Sequence, residues 1–324
     1  METGELKVHV GSNPTPSARG VPGSPAGCVA PAERLLSGMI AFLGMGLLGS
    51  NFVRALLERG ETVQVWNRTA EKARALEVDG AVAFDDPADT VRGATRVHLA
   101  LSDDAAVDAA LERAWSGFGD GTVVVDHTTT SVDGTRERVR RWQERGIAFQ
   151  HAPVFMGPVN AREGTGWILA SGDRDRFEAL EPELARMTGA VKYLGPRPER
   201  AAAFKLMGNL FLIEMTRGLM EMFSLARAVD VDVDEAASLF DWLDLGASVP
   251  ARVRRVLDAD YERPSWALGM ARKDVRLMIE AAERSGVSLP ALSAIAREMD
   301  VWVENGHGHA DWTVIASDII GRGD

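Results

Sequence analysis

Lys205 and Asn209 stand four residues apart in the stretch Phe204-Lys205-Leu206-Met207-Gly208-Asn209. On a helix that spacing projects both side chains from one side. A lysine among apolar neighbours costs desolvation energy unless it has a partner or a task. Burial depresses the pKa of an ammonium group, which brings it into the range of a general acid near neutral pH. A second chemical feature comes earlier, where Gly44-Met45-Gly46-Leu47-Leu48-Gly49 follows the apolar run Met39 to Leu43. In a strand–turn–helix setting Gly44 permits a tight turn, Gly46 lets the backbone approach a pyrophosphate, and Gly49 lets helix pack on strand. The helix N-terminus then offers free N–H groups to an anion. About twenty residues further on, where a ribose contact is expected, stand Asn67, Arg68 and Thr69. No carboxylate is present there to repel a 2′-phosphate, and a guanidinium can hold one, so the expected cofactor is NADP(H).

These residues need elements to position them. Short apolar runs at Met39 to Leu43, Thr62 to Trp66, Ala81 to Phe84, Arg96 to Leu101, Thr122 to Asp126, Ile147 to Phe149 and Gly166 to Ser171 read as strands. Helical spacing lies between them, at Ser50 to Arg59, a helix capped by Thr69, Ala105 to Trp115, Val132 to Arg145 and Arg174 to Met187. Strands alternating with helices predict a mostly parallel sheet with right-handed crossovers. Thr128 and Thr129 follow one strand at its carboxyl end, where open α/β sheets bind ligands, and their hydroxyls suit a substrate carboxylate or a carboxamide. Thr130 and Ser131 suit the N-cap of the next helix instead.

After Gly195 the texture changes. Residues 199–228 form a helix apolar on nearly every side, which predicts burial on every side. At about 1.5 Å per residue it spans some 45 Å, enough to leave one domain and form the spine of another. Helices are expected beyond it at Val233 to Leu243, Ala251 to Leu257, Leu268 to Ser285 and Ala291 to Asn305. The fold class is therefore α/β: a Rossmann-type parallel-sheet domain at 38–198, then an all-helical domain at 199–324, joined by the long inter-domain helix. Residues 1–37, with five prolines among Gly, Ser and Ala, read as a disordered extension or a mis-assigned start rather than a transit peptide. The helix needs more cover than its own domain supplies, which predicts a homodimer.

Composition narrows the function. The chain has 324 residues and a net charge of −11, which disfavours nucleic-acid partners. The single Cys28 fits a reducing, cytoplasmic compartment. No apolar run reaches bilayer length, and no Cys/His cluster has metal spacing, so neither membrane nor metal is expected.

In order and spacing the motifs resemble the β-hydroxyacid dehydrogenase family, related to 3-hydroxyisobutyrate dehydrogenases, glyoxylate/succinic semialdehyde reductases and imine reductases. Asp126-His127-Thr128-Thr129 is similar to the family's Asp-x-Ser-Thr loop at the nicotinamide. His151-Ala152-Pro153-Val154-Phe155-Met156-Gly157 is similar to its substrate loop, Asp-Ala-Pro-Val-Ser-Gly-Gly. Lys205 and Asn209 match its Lys-x-x-x-Asn, and Lys273-Asp274 its later Lys-Asp pair. The resemblance implies that Lys205 exchanges a proton with the substrate oxygen, which Asn209 holds. It implies that Leu101-Ser102 and Lys273 reach the cofactor, although an exposed ion pair is the plainer reading of Lys273-Asp274. Phe155 and Met156 replace small residues, so they block a carboxylate or offer an apolar contact in its place. His151 reads as a satisfied structural histidine. The expected substrate is a small carbonyl compound or hydroxy acid. Imine reduction is the alternative, since imine reductases share the fold and also lack Ser-Gly-Gly, but they typically replace the lysine. A cofactor-binding scaffold without turnover is a third reading.

Overall fold

The structure is a computed structural model and describes residues 38–320. The expectations for residues 1–37 lie outside the described residues. The chain divides into two compact units, one ending at Arg200 and the other beginning at Ala201.

Six strands build the main sheet of the first unit: β1 (Ile40–Leu43), β2 (Val63–Trp66), β3 (Val82–Ala83), β4 (Arg96–Leu99), β5 (Val123–Asp126) and β6 (Ala148–His151). All pairs are parallel, in the order β3-β2-β1-β4-β5-β6, the doubly wound arrangement. Between them lie α1 (Leu47–Glu58), α2 (Ala70–Arg74), α3 (Pro87–Val91), α4 (Asp104–Ala114) and α5 (Val132–Glu144). Alternate residues of β1 feed two separate apolar cores, Ile40 and Phe42 one of them, Ala41 and Leu43 the other. A strand covered on both faces has no polar side, which is why it reads as a continuous apolar run.

Three expectations need correction here. The segment Gly166 to Ser171 does not join the main sheet. It holds β8 (Trp167–Ala170) of a second, three-stranded sheet, antiparallel to β7 (Val154–Phe155) and parallel to β9 (Ala190–Tyr193). Pro153, which has no N–H for a ladder, separates β6 from β7. Two helices complete this part, α6 (Pro158–Glu163) and α7 (Arg174–Arg186). Thr69 occupies the N-cap of α2, but its side chain makes no capping bond. By contrast, Asp86, Asp103, Ser131 and Asp173 each accept a first-turn amide of the helix they precede. Thirdly, α3 is an addition to the expected helices, because five residues are too few to show helical periodicity.

The second unit contains α8 (Arg200–Ala228), α9 (Val233–Ala237), α10 (Leu239–Trp242), α11 (Val249–Asp258), α12 (Leu268–Arg284), α13 (Pro290–Glu304) and α14 (Ser317–Ile320). The single helix expected over Val233 to Leu243 breaks at Ser238, whose hydroxyl donates to the Glu235 carbonyl. The buried cluster of this unit draws on Leu268, Ala271 and Val275 of α12, Ala296 and Met299 of α13, and Ala310 and Val314 beyond them. It includes no residue of α8. Within one chain, the long helix is therefore not buried on every side: Leu210 is 61% exposed and Ile213 67%. One polar clamp ties it to α13, where Glu221 accepts the amides of Ala291 and Leu292 at 2.7 and 2.9 Å while Arg217 holds the same carboxylate.

Candidate active site

The glycine loop is built as its spacing demands. Gly44 has φ +106°, and a side chain there would strike the Ala100 carbonyl at 2.3 Å. A Cβ on Gly49 would lie 1.9 Å from the Gly44 carbonyl, so helix and strand approach only because that position is bare. Gly46 instead faces open space, with nothing within 4 Å of an added Cβ. The first intrahelical bond runs from Ser50 N–H to the Gly46 carbonyl at 3.0 Å, leaving the amides of Leu47, Leu48 and Gly49 ahead of the ladder. A turn with an open backbone face and unused helix amides fits a dinucleotide phosphate. Met45 differs from its neighbours: its side chain joins the core, and its N–H donates to Asn67 Oδ1 at 2.9 Å. Asn67 in turn donates through Nδ2 to the Thr69 carbonyl at 2.9 Å. Asn67 is thus a clasp between two loops, a role that spacing alone did not reveal. Arg68 and Thr69 are exposed beside it. Asp103, unnoticed in the sequence, sits within the field of Arg68. The Ala106 amide and the Ser102 hydroxyl, with a smaller contribution from Arg68, hold its carboxyl below the usual range.

At the carboxyl ends of β4 and β5 the polar groups are interlocked. The Leu101 amide donates to Thr128 Oγ1 at 3.0 Å, and the Thr128 amide donates to Asp126 Oδ1 at 2.9 Å. Thr128 is 2% exposed, so its hydroxyl faces protein, whereas Thr129 is exposed. The Ser102 hydroxyl donates to Asp103 at 2.9 Å. Below this edge lies a fully buried group of ionisable side chains. His98 Nδ1 and His127 Nε2 are 3.0 Å apart, and His127 Nδ1 lies 2.8 Å from the Ala152 carbonyl. The carbonyl can only accept, so His127 donates to it and accepts from His98. Desolvation keeps both rings neutral, pushing His127 down to about 4 and His98 well below its ordinary value. His151 lies 3.5 Å from Asp126, and neither of its ring nitrogens completes a hydrogen bond. The ring is buried, but it is not hydrogen-bonded as the expected satisfied histidine would be.

The expected substrate loop is more ordered than its motif suggests. Phe155 belongs to β7, Met156 packs against the core, and both are half-buried. The Gly157 amide, expected to face a substrate, donates to Asn160 Oδ1 at 2.8 Å and opens α6.

In the second unit Lys205 and Asn209 are both half-buried on α8, and desolvation lowers the Lys205 pKa. Lys273 differs, since its ammonium lies 2.6 Å from Asp274 in a partly exposed ion pair. Among the described residues no group of His, Cys, Asp or Glu could hold a metal ion, and no helix is long and apolar enough to cross a membrane.

A doubly wound sheet carrying this glycine loop defines a dinucleotide-binding unit. Residues 39–195 match the family of the NAD binding domain of 6-phosphogluconate dehydrogenase. The chain is 26% identical to an uncharacterized oxidoreductase of Bacillus subtilis, over 85% of this chain and 98% of that protein. It is 27% identical to glyoxylate/succinic semialdehyde reductase 1 of Arabidopsis thaliana, over 85% and 96% of the two chains. In fold it resembles an imine reductase from Pseudomonas sp., with a TM-score of 0.80, 22% identity, and coverage of 87% and 99%. The chain is an NAD(P)-dependent oxidoreductase whose relatives are of the β-hydroxyacid dehydrogenase type.

Proposed function

We propose that this protein uses NADPH to reduce a small carbonyl compound, a semialdehyde or oxo acid, with Lys205 as the proton donor. The observation that carries this reading is a half-buried lysine whose pKa desolvation has lowered, with Asn209 one turn further along α8. Such an ammonium releases its proton more readily than an exposed one. Asn209 holds the reacting oxygen through its amide. The amides of Gly46 to Gly49 hold the pyrophosphate, Arg68 the 2′-phosphate, and Leu101, Ser102 and Thr129 the nicotinamide end. Reduced nicotinamide, when bound, supplies the hydride. Phe155 and Met156 give the substrate loop an apolar lining, which suits a substrate with a carbon chain beyond its carbonyl. The same lining favours one second reading, reduction of a C=N bond.

The first unit serves as the cofactor domain, and the helical unit serves substrate binding and dimerisation. Exposure of Leu210, Phe211 and Ile213 on α8 supports a homodimer in which a second copy covers that helix. The single Cys28 suits the cytoplasm. NADPH absorbance followed with aldehydes, 2- and 3-oxo acids and cyclic imines side by side tests the activity. Turnover of aldehydes or oxo acids is expected; turnover of imines alone would replace the carbonyl reading, and binding without any turnover would remove both. A mass near that of one chain by light scattering would count against the dimer.

A further inference from the structure

We propose that Asp126 and Thr128 form a positioning bridge that fixes the Leu101 amide, and through it the place where the nicotinamide end of the cofactor rests. This depends on the reading above that the nicotinamide lies at the carboxyl ends of β4 and β5. Those strands are in register at Leu99 and Asp126. The ladder runs one step further, from the His127 amide to the Leu99 carbonyl at 2.9 Å, while the Ala100 amide turns to β1 and donates to Leu43 at 3.0 Å. The next amide, that of Leu101, is met by a side chain: Thr128 Oγ1, at 3.0 Å.

The direction of each bond is fixed by chemistry. The Leu101 N–H can only donate, so the Thr128 hydroxyl accepts from it. Thr128 is itself held through its backbone amide, which donates to Asp126 Oδ1 at 2.9 Å. Nearby His151 and Thr128 outweigh burial and hold the Asp126 carboxyl below its ordinary pKa. Asp126 thus fixes Thr128 through its amide, and the Thr128 hydroxyl fixes the Leu101 amide. The anchor, Asp126, is completely buried and registered opposite His151 on β6. Thr128 is on this account a positioning residue, not the substrate ligand that its motif suggested.

The test compares Thr128→Val, which keeps the shape and removes the hydroxyl, with Thr128→Ser, which keeps the hydroxyl. Each is titrated with NADPH and with adenosine 2′,5′-bisphosphate, which carries the ribose phosphate but no nicotinamide. Thr128→Val should weaken NADPH by roughly tenfold, the scale of one lost bond with a stranded amide, and leave the bisphosphate within about twofold. Thr128→Ser should stay near wild type on both. A Val variant that binds NADPH like wild type, or loses both ligands equally, overturns the bridge. If the wild type binds neither ligand, the cofactor reading fails and the bridge with it. Should the Val variant not fold, hydrogen exchange of the wild-type Leu101 amide decides. Protection in the cofactor-free protein is expected, and exchange at the rate of an open loop amide overturns the proposal.

Discussion

In the unit that ends at Arg200, ionisable side chains are buried and paired. Arg96 of β4 meets Glu183 of α7 at 2.6 Å, Arg138 of α5 bonds Asp104 and Asp108 of α4 at 2.9 and 2.8 Å, and Asp126 lies among His127, His151 and Thr128. In the unit that begins at Ala201, the misplaced groups are apolar and face outward along α8. Buried charges cost desolvation energy and persist only where their partners are well placed, which makes the first unit geometrically strict. Exposed apolar surface costs hydration energy until something covers it. Strictness suits the holding of a cofactor. The lowered pKa of Lys205 arises in the unit with less cover, so chemistry and cofactor affinity should respond to different mutations.

The largest test of that division is Lys205→Ala, which should lower carbonyl turnover by about 10²–10⁴-fold with NADPH affinity nearly unchanged. Lys205→Arg should fail equally, because a guanidinium does not release a proton near neutral pH. Wild-type reduction should fall as pH rises through the lowered lysine pKa, since the donor must be protonated. Full activity of the Ala variant on an aldehyde would make the lysine structural; survival on a preformed iminium alone would point to imine chemistry.

Acid should separate the units next. His127 is neutral in the fold at about 4, against an ordinary value of 6.5. The unfolded chain therefore takes up a proton first, and this stability is full above pH 6.5 and is lost as pH falls through about 4. The loss amounts to about 3 kcal/mol in the first unit. In the second unit, bonds from Thr313 and Ser265 outweigh burial and hold Asp311 at about 2. Its contribution is present above its ordinary pKa of 3.8 and disappears only toward pH 2. Hydrogen exchange at pH 7, 5 and 4 should show the first unit loosening before the second; simultaneous loosening would contradict the comparison.

Arg68→Ala should weaken NADPH by roughly ten- to a hundredfold, about 1.5–3 kcal/mol, and leave NADH unchanged. Equal wild-type affinity for the two cofactors would remove that role. The smallest effect is expected for Lys273→Ala, about threefold or less in NADPH affinity, because Asp274 already neutralises the ammonium in a partly exposed pair. A tenfold loss would restore Lys273 to the cofactor.

Much of this was legible in the residues themselves. Strands buried on both faces leave apolar runs, and the three glycine roles at Gly44, Gly46 and Gly49 follow from what a Cβ would strike or leave open. What escaped were partners distant in sequence. The Asn67 clasp on Met45 spans 22 residues and the Thr128 bond to Leu101 spans 27, and no local period encodes either. The antiparallel pairing of β7 with β8 rests on two residues, Val154 and Phe155, too few to show alternation. On α8 the apolar pattern is plain in the sequence, but a pattern does not say which of its residues the same chain buries.

The Asn67 clasp bears on how readily cofactor preference could drift or be engineered. The substitution Asn67→Asp is the obvious single step toward a ribose hydroxyl. The new carboxylate could still accept the Met45 amide, but it has no N–H for the Thr69 carbonyl. A lineage or a designer taking that step would alter the stiffness of the phosphate-binding turn along with its charge. The route from one dinucleotide to the other therefore passes through a loosened loop, and a compensating change near Thr69 should accompany any successful switch.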